Sequence, residues 1–451
     1  MATAGPDPKQ VLINAWRPYV KEETFEITSI EGEIPRDLYG TLFRNGPSQK
    51  IVPPQGNQAL HLFDGDGLIH SYGFENGRVF YTGKFVKTPS FLVEQEEGRF
   101  CLNCVNFAVE NPTDKVMMRV TANTNIVYHG GKLMALVENG FPFELEPRTL
   151  ETLGQNDFQG KMLGMSTSAH PKIDGKTGEF LIHGYSPFPP YVQFYVLDRD
   201  GTCRQAEPVE VPYAVMLHDF AITEHYVIFP FCPVTIDADV LARRLVFADA
   251  LKWEPEKGLK FAIRRRDPDS EVRWFEVPTA AYIFHPGNAY EEGGKIVMDA
   301  CSYVNGGALL DSLRTWRRGV VKPGWAARPF LYEFDLESGG CKEKLLDDRG
   351  AEFPRLDDRL IGYKNRYGYA VMNRTVADEA EEIWSTVVKY DRAGGRAVIH
   401  DYGPWQWPSE PVFVPRSVDA AEDDGFVLNV VYDGKTDRSY LAVLDARNLA
   451  G

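Results

Sequence analysis

The sequence predicts an all-β fold: one seven-bladed β-propeller whose axial channel is covered by helical and loop segments. Three observations lead there. Short apolar runs bounded by turn residues recur from end to end. Glycine and proline are spread along the chain and not pooled in a linker. Three histidine patterns stand too far apart to meet through any local structure.

The clearest strand candidates are Lys132-Leu-Met-Ala-Leu-Val137, Glu179-Phe-Leu-Ile182, Tyr226-Val-Ile-Phe229, Lys295-Ile-Val-Met298 and Phe426-Val-Leu-Asn-Val-Val-Tyr432. They are rich in β-branched and aromatic side chains, which pack well on a pleated surface. Hairpin chemistry separates strands at His129-Gly-Gly131, Asp198-Arg-Asp-Gly201, Glu291-Glu-Gly-Gly294 and Asp433-Gly434. Even spacing without strand–helix alternation selects a sandwich, barrel or propeller, and seven blades would take about 64 residues each. No WD or kelch signature marks the blades. Residues 1–30 are expected to form an N-terminal extension and 31–451 a single propeller domain. Cap insertions are expected near 229–251 and 305–327. In the first, Val240, Leu241, Leu245 and Phe247 alternate with charged residues as in a short helix; in the second, Leu313, Trp316 and Trp325 stand among basic ones.

The chain has 451 residues, of which 43% are hydrophobic and 25% charged, the balance of a globular protein. A net charge of −15 argues against nucleic acid, which requires an excess of Lys and Arg on some face. The run Arg264-Arg265-Arg266 is read as a solvated strand or loop. No apolar run approaches the roughly 18 residues of a spanning helix, and the start of the chain has no signal-peptide core. Six cysteines in so long a chain form no disulfide framework. Cys101 and Cys104 make one C-x-x-C without a second pair at zinc-ribbon spacing, and a reducing cytoplasm is expected.

The histidine patterns are Ser168-Ala-His170-Pro171, Leu217-His218-Asp-Phe220 and Phe284-His285-Pro286, with the histidines 48 and 67 residues apart. They can share a site only if successive blades each deliver one to the axis. Glu138, Glu352 and Glu410 stand in apolar settings where a charge is costly to bury without a partner. Neutral imidazole binds zinc, copper, nickel and iron, and a ligating histidine usually donates its other N–H to a carboxylate. The residues alone leave a zinc hydrolase and a non-catalytic binding propeller open beside a redox enzyme.

Gly40-Thr-Leu-Phe-Arg-Asn-Gly-Pro47, Phe63-Asp-Gly-Asp-Gly67, Asn123-Thr-Asn125, Asn288-Ala-Tyr-Glu291, Glu352-Phe-Pro-Arg355, Glu410-Pro-Val-Phe-Val-Pro415 and Glu422-Asp-Asp-Gly425 accompany the histidines in order. From about Glu31 to Asn448 the chain resembles the carotenoid cleavage oxygenases, the superfamily that includes lignostilbene dioxygenases and the retinoid isomerase of the eye. The resemblance implies one non-haem Fe(II) on the propeller axis, held by four histidines, and O2 as co-substrate. His170, His218 and His285 match three ligands, and Glu138, Glu352 and Glu410 match glutamates that orient histidines. Thr124 matches a residue beside the open coordination positions. The implied reaction is cleavage of a conjugated C=C bond of a carotenoid or apocarotenoid. Phe63 and Phe284 are candidate tunnel walls, with Phe229 and Phe231 beside them.

Two departures matter. The fourth histidine of the family follows a segment resembling Leu441-Ala-Val-Leu-Asp-Ala446. No histidine stands there, and His400 does not match. A C-terminally incomplete sequence, an imperfectly closed last blade and weakened iron binding are therefore expected, with an inactive binding propeller as one alternative. Stilbene- and isoeugenol-cleaving relatives carry a lysine before the first glutamate, where this chain has Val137. An apolar polyene is expected over a phenolic stilbene or phenylpropenoid. A substrate of that kind implies peripheral contact with a membrane surface, for which Phe229, Phe231, Val240, Leu241 and Phe247 are the candidates.

Overall fold

The computed structural model describes every residue except 1–6, 114, 115, 117, 118, 245 and 377–383. Among the described residues, seven four-stranded antiparallel sheets follow one another, at 23–85, 125–155, 172–209, 221–277, 282–345, 349–401 and 406–445, and are numbered here as blades 1 to 7; a two-stranded hairpin of 234–236 and 251–253 is inserted in blade 4. In blades 2 to 6 the sheet order follows the chain order, so the first strand of each blade occupies one edge. In blades 3 to 5 those first strands carry or directly follow the three histidines, which places that edge at the axis.

Glycine makes the hairpins tight. Gly130 and Gly131 join Asn125–His129 to Lys132–Leu136 with φ of 57° and 78°. Gly293 and Gly294 repeat this in blade 5 at 59° and 78°. Two consecutive positive φ values define the turn that matches strand twist, and side chains other than glycine resist it. A Cβ on Gly130 would also meet the Cα of Gly201 at 2.7 Å, so blades 2 and 3 touch there backbone to backbone.

Apolar faces between blades form the core. Leu181, Phe194 and Val196 of blade 3 pack on Phe220, Val227 and Phe229 of blade 4, each large side chain contributing about 1.5–3 kcal/mol by burial. Leu42 and Phe74 of blade 1 pack on Phe426 and Leu428 of blade 7, which closes the ring. Blade 7 is built differently from the others. Gln406–Pro408 and Val412–Pro415 pair in tandem with one edge of Gly425–Asp433, and Arg438–Asp445 takes the other edge. The sheet is thus three strands wide where the other blades have four, and Glu410 sits in the break between its two inner segments.

Among the described residues, five α-helices lie outside the sheets: α1 (Pro8–Ala15), α2 (Pro89–Glu97), α3 (Ala238–Arg244), α4 (Phe247–Ala250) and α5 (Gly306–Thr315). Several gather with the loops at 49–65 and 99–113. The Ala248 N–H donates to the carbonyl of Val105, Asn106 reaches the carbonyls of Ala59 and Arg314, and Arg317 donates to Asn57. A buried ion network of Arg119 with Asp66 (2.7 Å) and Glu94 (2.6 Å) pins α2 and the loop after it to blade 1.

Four expectations need correction. The boundary at residue 31 is too late, because Glu23–Ile27 is the outer strand of blade 1. The segment expected as one helix over 237–251 is two short helices, with Leu245 outside the described residues. Arg264 and Arg266 are not solvated: Arg264 pairs with Glu207 at 2.6 Å, and Arg266 bridges Asp174 and Glu179 at 2.7 and 2.6 Å. Phe229 and Phe231 are each 1% exposed inside the blades and are no part of a tunnel wall or a surface patch. Alternating burial along short strands cannot distinguish an edge from a centre, which is why these residues misled.

Candidate metal centre

His170 precedes the first strand of blade 3. The Ser168 N–H donates to the carbonyl of His183 at 2.6 Å, the Ala169 carbonyl accepts from Asn125 at 2.8 Å, and the His170 N–H donates to Ser168 Oγ at 3.0 Å. His218 precedes the first strand of blade 4. The preceding carbonyl, that of Leu217, accepts from His183 Nε2 at 2.8 Å. His183 thus braces the backbone that carries His218, and burial pushes its own pKa down to about 4. His285 lies within Tyr282–Glu292, where register shifts at Ile283/His285 and Pro286/Ala289 bend the strand. Such bulges re-aim side chains.

These three imidazoles converge. Their candidate ligand atoms all lie within 4.8 Å of one another, and no other group of this kind occurs among the described residues. Ring centroids stand 4.4 Å apart for His170–His218, 4.9 Å for His170–His285 and 5.1 Å for His218–His285. Nε2 of His218 and Nε2 of His285 face each other at 3.3 Å, and the buried Nε2 of His170 has no hydrogen-bond partner. Buried polar atoms are nearly always satisfied. Three inward-facing nitrogens, one of them orphaned, fit a cation bound between them.

On the far side of two rings stands a carboxylate. His218 Nδ1 contacts Glu138 Oε1, and His285 Nδ1 lies 2.6 Å from Glu352 Oε2. Glu352 also accepts the N–H of Phe353 at 2.5 Å, and Glu138 accepts the Tyr185 hydroxyl at 2.5 Å. Burial opposes ionisation of Glu138, but His218 and Tyr185 outweigh it and hold the carboxyl below its ordinary range. His170, desolvated and facing two other imidazoles, is pushed well below the usual histidine range and is neutral. Burial also pulls His285 down, yet Glu352 more than compensates and raises it.

Glu410 is placed differently. Its carboxylate pairs with Arg355 at 3.1 Å, and its carbonyl accepts from Arg44 at 2.9 Å. Burial works against its ionisation, and Arg355 and Arg44 overcome it. The structure does not seat Glu410 on a histidine. It lines a cavity of about 270 Å³ at the seam of blades 1 and 7, shared with Arg44, Arg355 and Thr124. Thr124 is exposed there and donates to Asn123 Oδ1 at 3.1 Å.

Phe284 packs edge-on against His218 at 4.7 Å, and Phe63 packs on Phe284 at 6.2 Å. Val137 is 6% exposed and immediately precedes Glu138. Several neighbours escaped sequence reasoning. Phe353 lies 5.0 Å from the His285 ring and opens a row of aromatics through Trp384 to Trp316 and Trp325. Lys172 and the buried Asp219 pair at 2.8 Å beside the histidines. Lys172, Asp219 and Phe353 are each one or two residues from a recognised position, a signal that was available. Tyr185 had none.

The family model described as "RPE65: Retinal pigment epithelial membrane protein" matches residues 16–451. An isoeugenol monooxygenase from Pseudomonas putida is 34% identical over 466 residues, covering 100% of this chain and 95% of the relative. A carotenoid 9,10(9',10')-cleavage dioxygenase 1 from Pisum sativum is 33% identical over 96% of this chain and 84% of its own. Among solved structures, the cobalt-substituted apocarotenoid oxygenase (ACO) from Synechocystis superposes with a TM-score of 0.87 at 28% identity, covering 99% of this chain and 95% of its own. The lignostilbene dioxygenase of Pseudomonas brassicacearum does so with a TM-score of 0.85 at 30% identity, over 100% and 95%. With its seven blades and its axial histidines, this chain belongs to the carotenoid cleavage oxygenase family.

Proposed function

We propose that this chain is a non-haem Fe(II) oxygenase that cleaves a conjugated C=C bond of an apolar carotenoid or apocarotenoid with O2, giving two carbonyl products. The observation that carries this reading is the convergence of His170, His218 and His285, two of them backed by carboxylates. These three histidines would hold the ion. When bound, ferrous iron supplies the redox chemistry that joins O2 to an alkene, and neutral imidazoles suit it as ligands. Glu352, accepting from His285 Nδ1, and Glu138, in contact with His218 Nδ1, would leave Nε2 of both rings free of a proton and turned inward. Thr124 is assigned to the open side of the centre by its Asn-Thr-Asn match.

The remaining work is alignment and exclusion of water. Phe284 and Phe63 wall one side of His218, and Phe353 and Trp384 extend an aromatic surface from His285. A polyene has no polar group at the scissile bond, so shape and aromatic contact must place it. Val137 offers no cation to a buried phenolate beside Glu138, which favours a polyene over the phenolic substrates named for some relatives. No helix among the described residues is long and apolar enough to cross a membrane. Peripheral contact with a membrane carrying the substrate is assigned to the half-buried Val240, Leu241 and Phe247 of α3 and α4.

The test is incubation of the iron-reconstituted chain with apocarotenoids and hydroxystilbenes under O2, reading product masses. Aldehydes from the polyenes support the proposal. Aldehydes from the stilbenes alone would replace the substrate class, and none from either would overturn the activity.

A further inference from the structure

Both oxygens of the Glu138 carboxylate are occupied: Oε1 contacts His218 Nδ1, and Oε2 accepts the Tyr185 hydroxyl at 2.5 Å. That separation is in the range of charge-assisted O–H···O⁻ bonds, roughly 2.5–2.7 Å. The three side chains come from blades 2, 3 and 4, so this chain of contacts crosses two blade boundaries. Left to itself, a terminal carboxylate rotates in a broad, nearly two-fold well. A second fixed donor removes that freedom and turns the other oxygen towards His218.

The Tyr185 ring is itself fixed. It packs against Ala214, Ile236 and Ala250 beneath α3 and α4. On Glu352 the Phe353 N–H donates to Oε2, the same oxygen that His285 contacts. On Glu138 the second donor is a side chain and it takes the other oxygen. Resting on the metal reading above, we propose that Tyr185 is a positioning residue that acts through Glu138 on His218 and so sets the metal affinity of the centre.

Tyr282 supplies the matched control. It is 1% exposed and feels the charge of Glu138, but its hydroxyl has no hydrogen-bond partner. Tyr185→Phe and Tyr282→Phe each delete one buried hydroxyl and keep the ring, so packing is preserved in both. Co(II) titration of the full chain, followed by its visible absorption, gives affinity and ligand geometry without turnover. Tyr185→Phe is expected to bind Co(II) about tenfold more weakly, the low end for a residue supporting a ligand, with altered absorption bands. Tyr282→Phe should match the wild type.

A cycle with Glu138→Gln isolates the route. Tyr185→Phe should cost nothing further once Glu138 is replaced. Wild-type affinity in Tyr185→Phe, or an equal loss in Tyr282→Phe, or full additivity in the cycle, would overturn the inference while leaving the metal reading intact. Failure of the wild-type chain to bind Co(II) would overturn both.

Discussion

His285 Nδ1 donates to Glu352 Oε2 across 2.6 Å, joining the first strands of blades 5 and 6. Because the Phe353 N–H clamps the same carboxylate oxygen, the imidazole is held with Nε2 turned to Nε2 of His218, 3.3 Å away. Blade packing thereby sets the geometry of the facing imidazoles, and several of the following expectations derive from that coupling.

Replacing Glu352 with Gln keeps the size of the side chain and removes its charge. Metal affinity is expected to fall by roughly 10–100-fold, the usual effect of losing a carboxylate behind a ligating histidine. Equilibrium dialysis with Fe(II) under anaerobic conditions reads this directly, and unchanged affinity would contradict it.

Phe284 is 5% exposed and touches His218, Tyr282 and Tyr303. Phe284→Ala should cost about 3–5 kcal/mol of stability through the cavity it leaves. It should also loosen His218, so urea unfolding and metal affinity must fall together. A loss below about 1 kcal/mol would show that the wall is not packed as described.

Asp174 shows how acid weakens the fold. Burial opposes its ionisation, but the N–H of Thr177 and the Arg266 guanidinium outweigh this and depress its pKa. A carboxyl whose folded pKa lies below its unfolded value of about 3.9 stabilises fully above that pH and loses this as pH falls through the folded value. Asp174→Asn should therefore cost about 3 kcal/mol near neutrality, as expected for breaking a buried pair. The gap from wild type should narrow below about pH 4. A pH-independent gap in melting temperature would contradict it.

Leu241 is half-buried on α3. If α3 and α4 meet a membrane surface, Leu241→Glu should reduce co-sedimentation with neutral liposomes several-fold without altering metal content. Unchanged sedimentation would remove that contact from the proposal.

Much of the architecture was legible in the sequence because local chemistry and fold agree. The Gly130–Gly131 and Gly293–Gly294 turns require glycine, and the strands beside them are β-branched and aromatic. The histidines were legible through their order and motifs. What was hidden depends on which side of a strand faces a neighbouring blade. Arg264 and Arg266 look like a surface run until Glu207, Asp174 and Glu179 meet them from blade 3. Tyr185 sits in a strand whose pattern explains its ring as core, and only the closed ring brings its hydroxyl to Glu138. Glu410 matches a glutamate whose histidine this sequence does not carry, and what the sequence hid is the partner it has instead, Arg355 across the seam cavity.

The most direct test is X-ray absorption on the full chain reconstituted anaerobically with Fe(II), alongside His170→Ala, His218→Ala and His285→Ala. Near-stoichiometric iron with imidazole scattering in the wild type, sharply reduced in each variant, is the predicted result. Iron retained with the same scattering after removal of any one of these histidines would contradict the proposed centre.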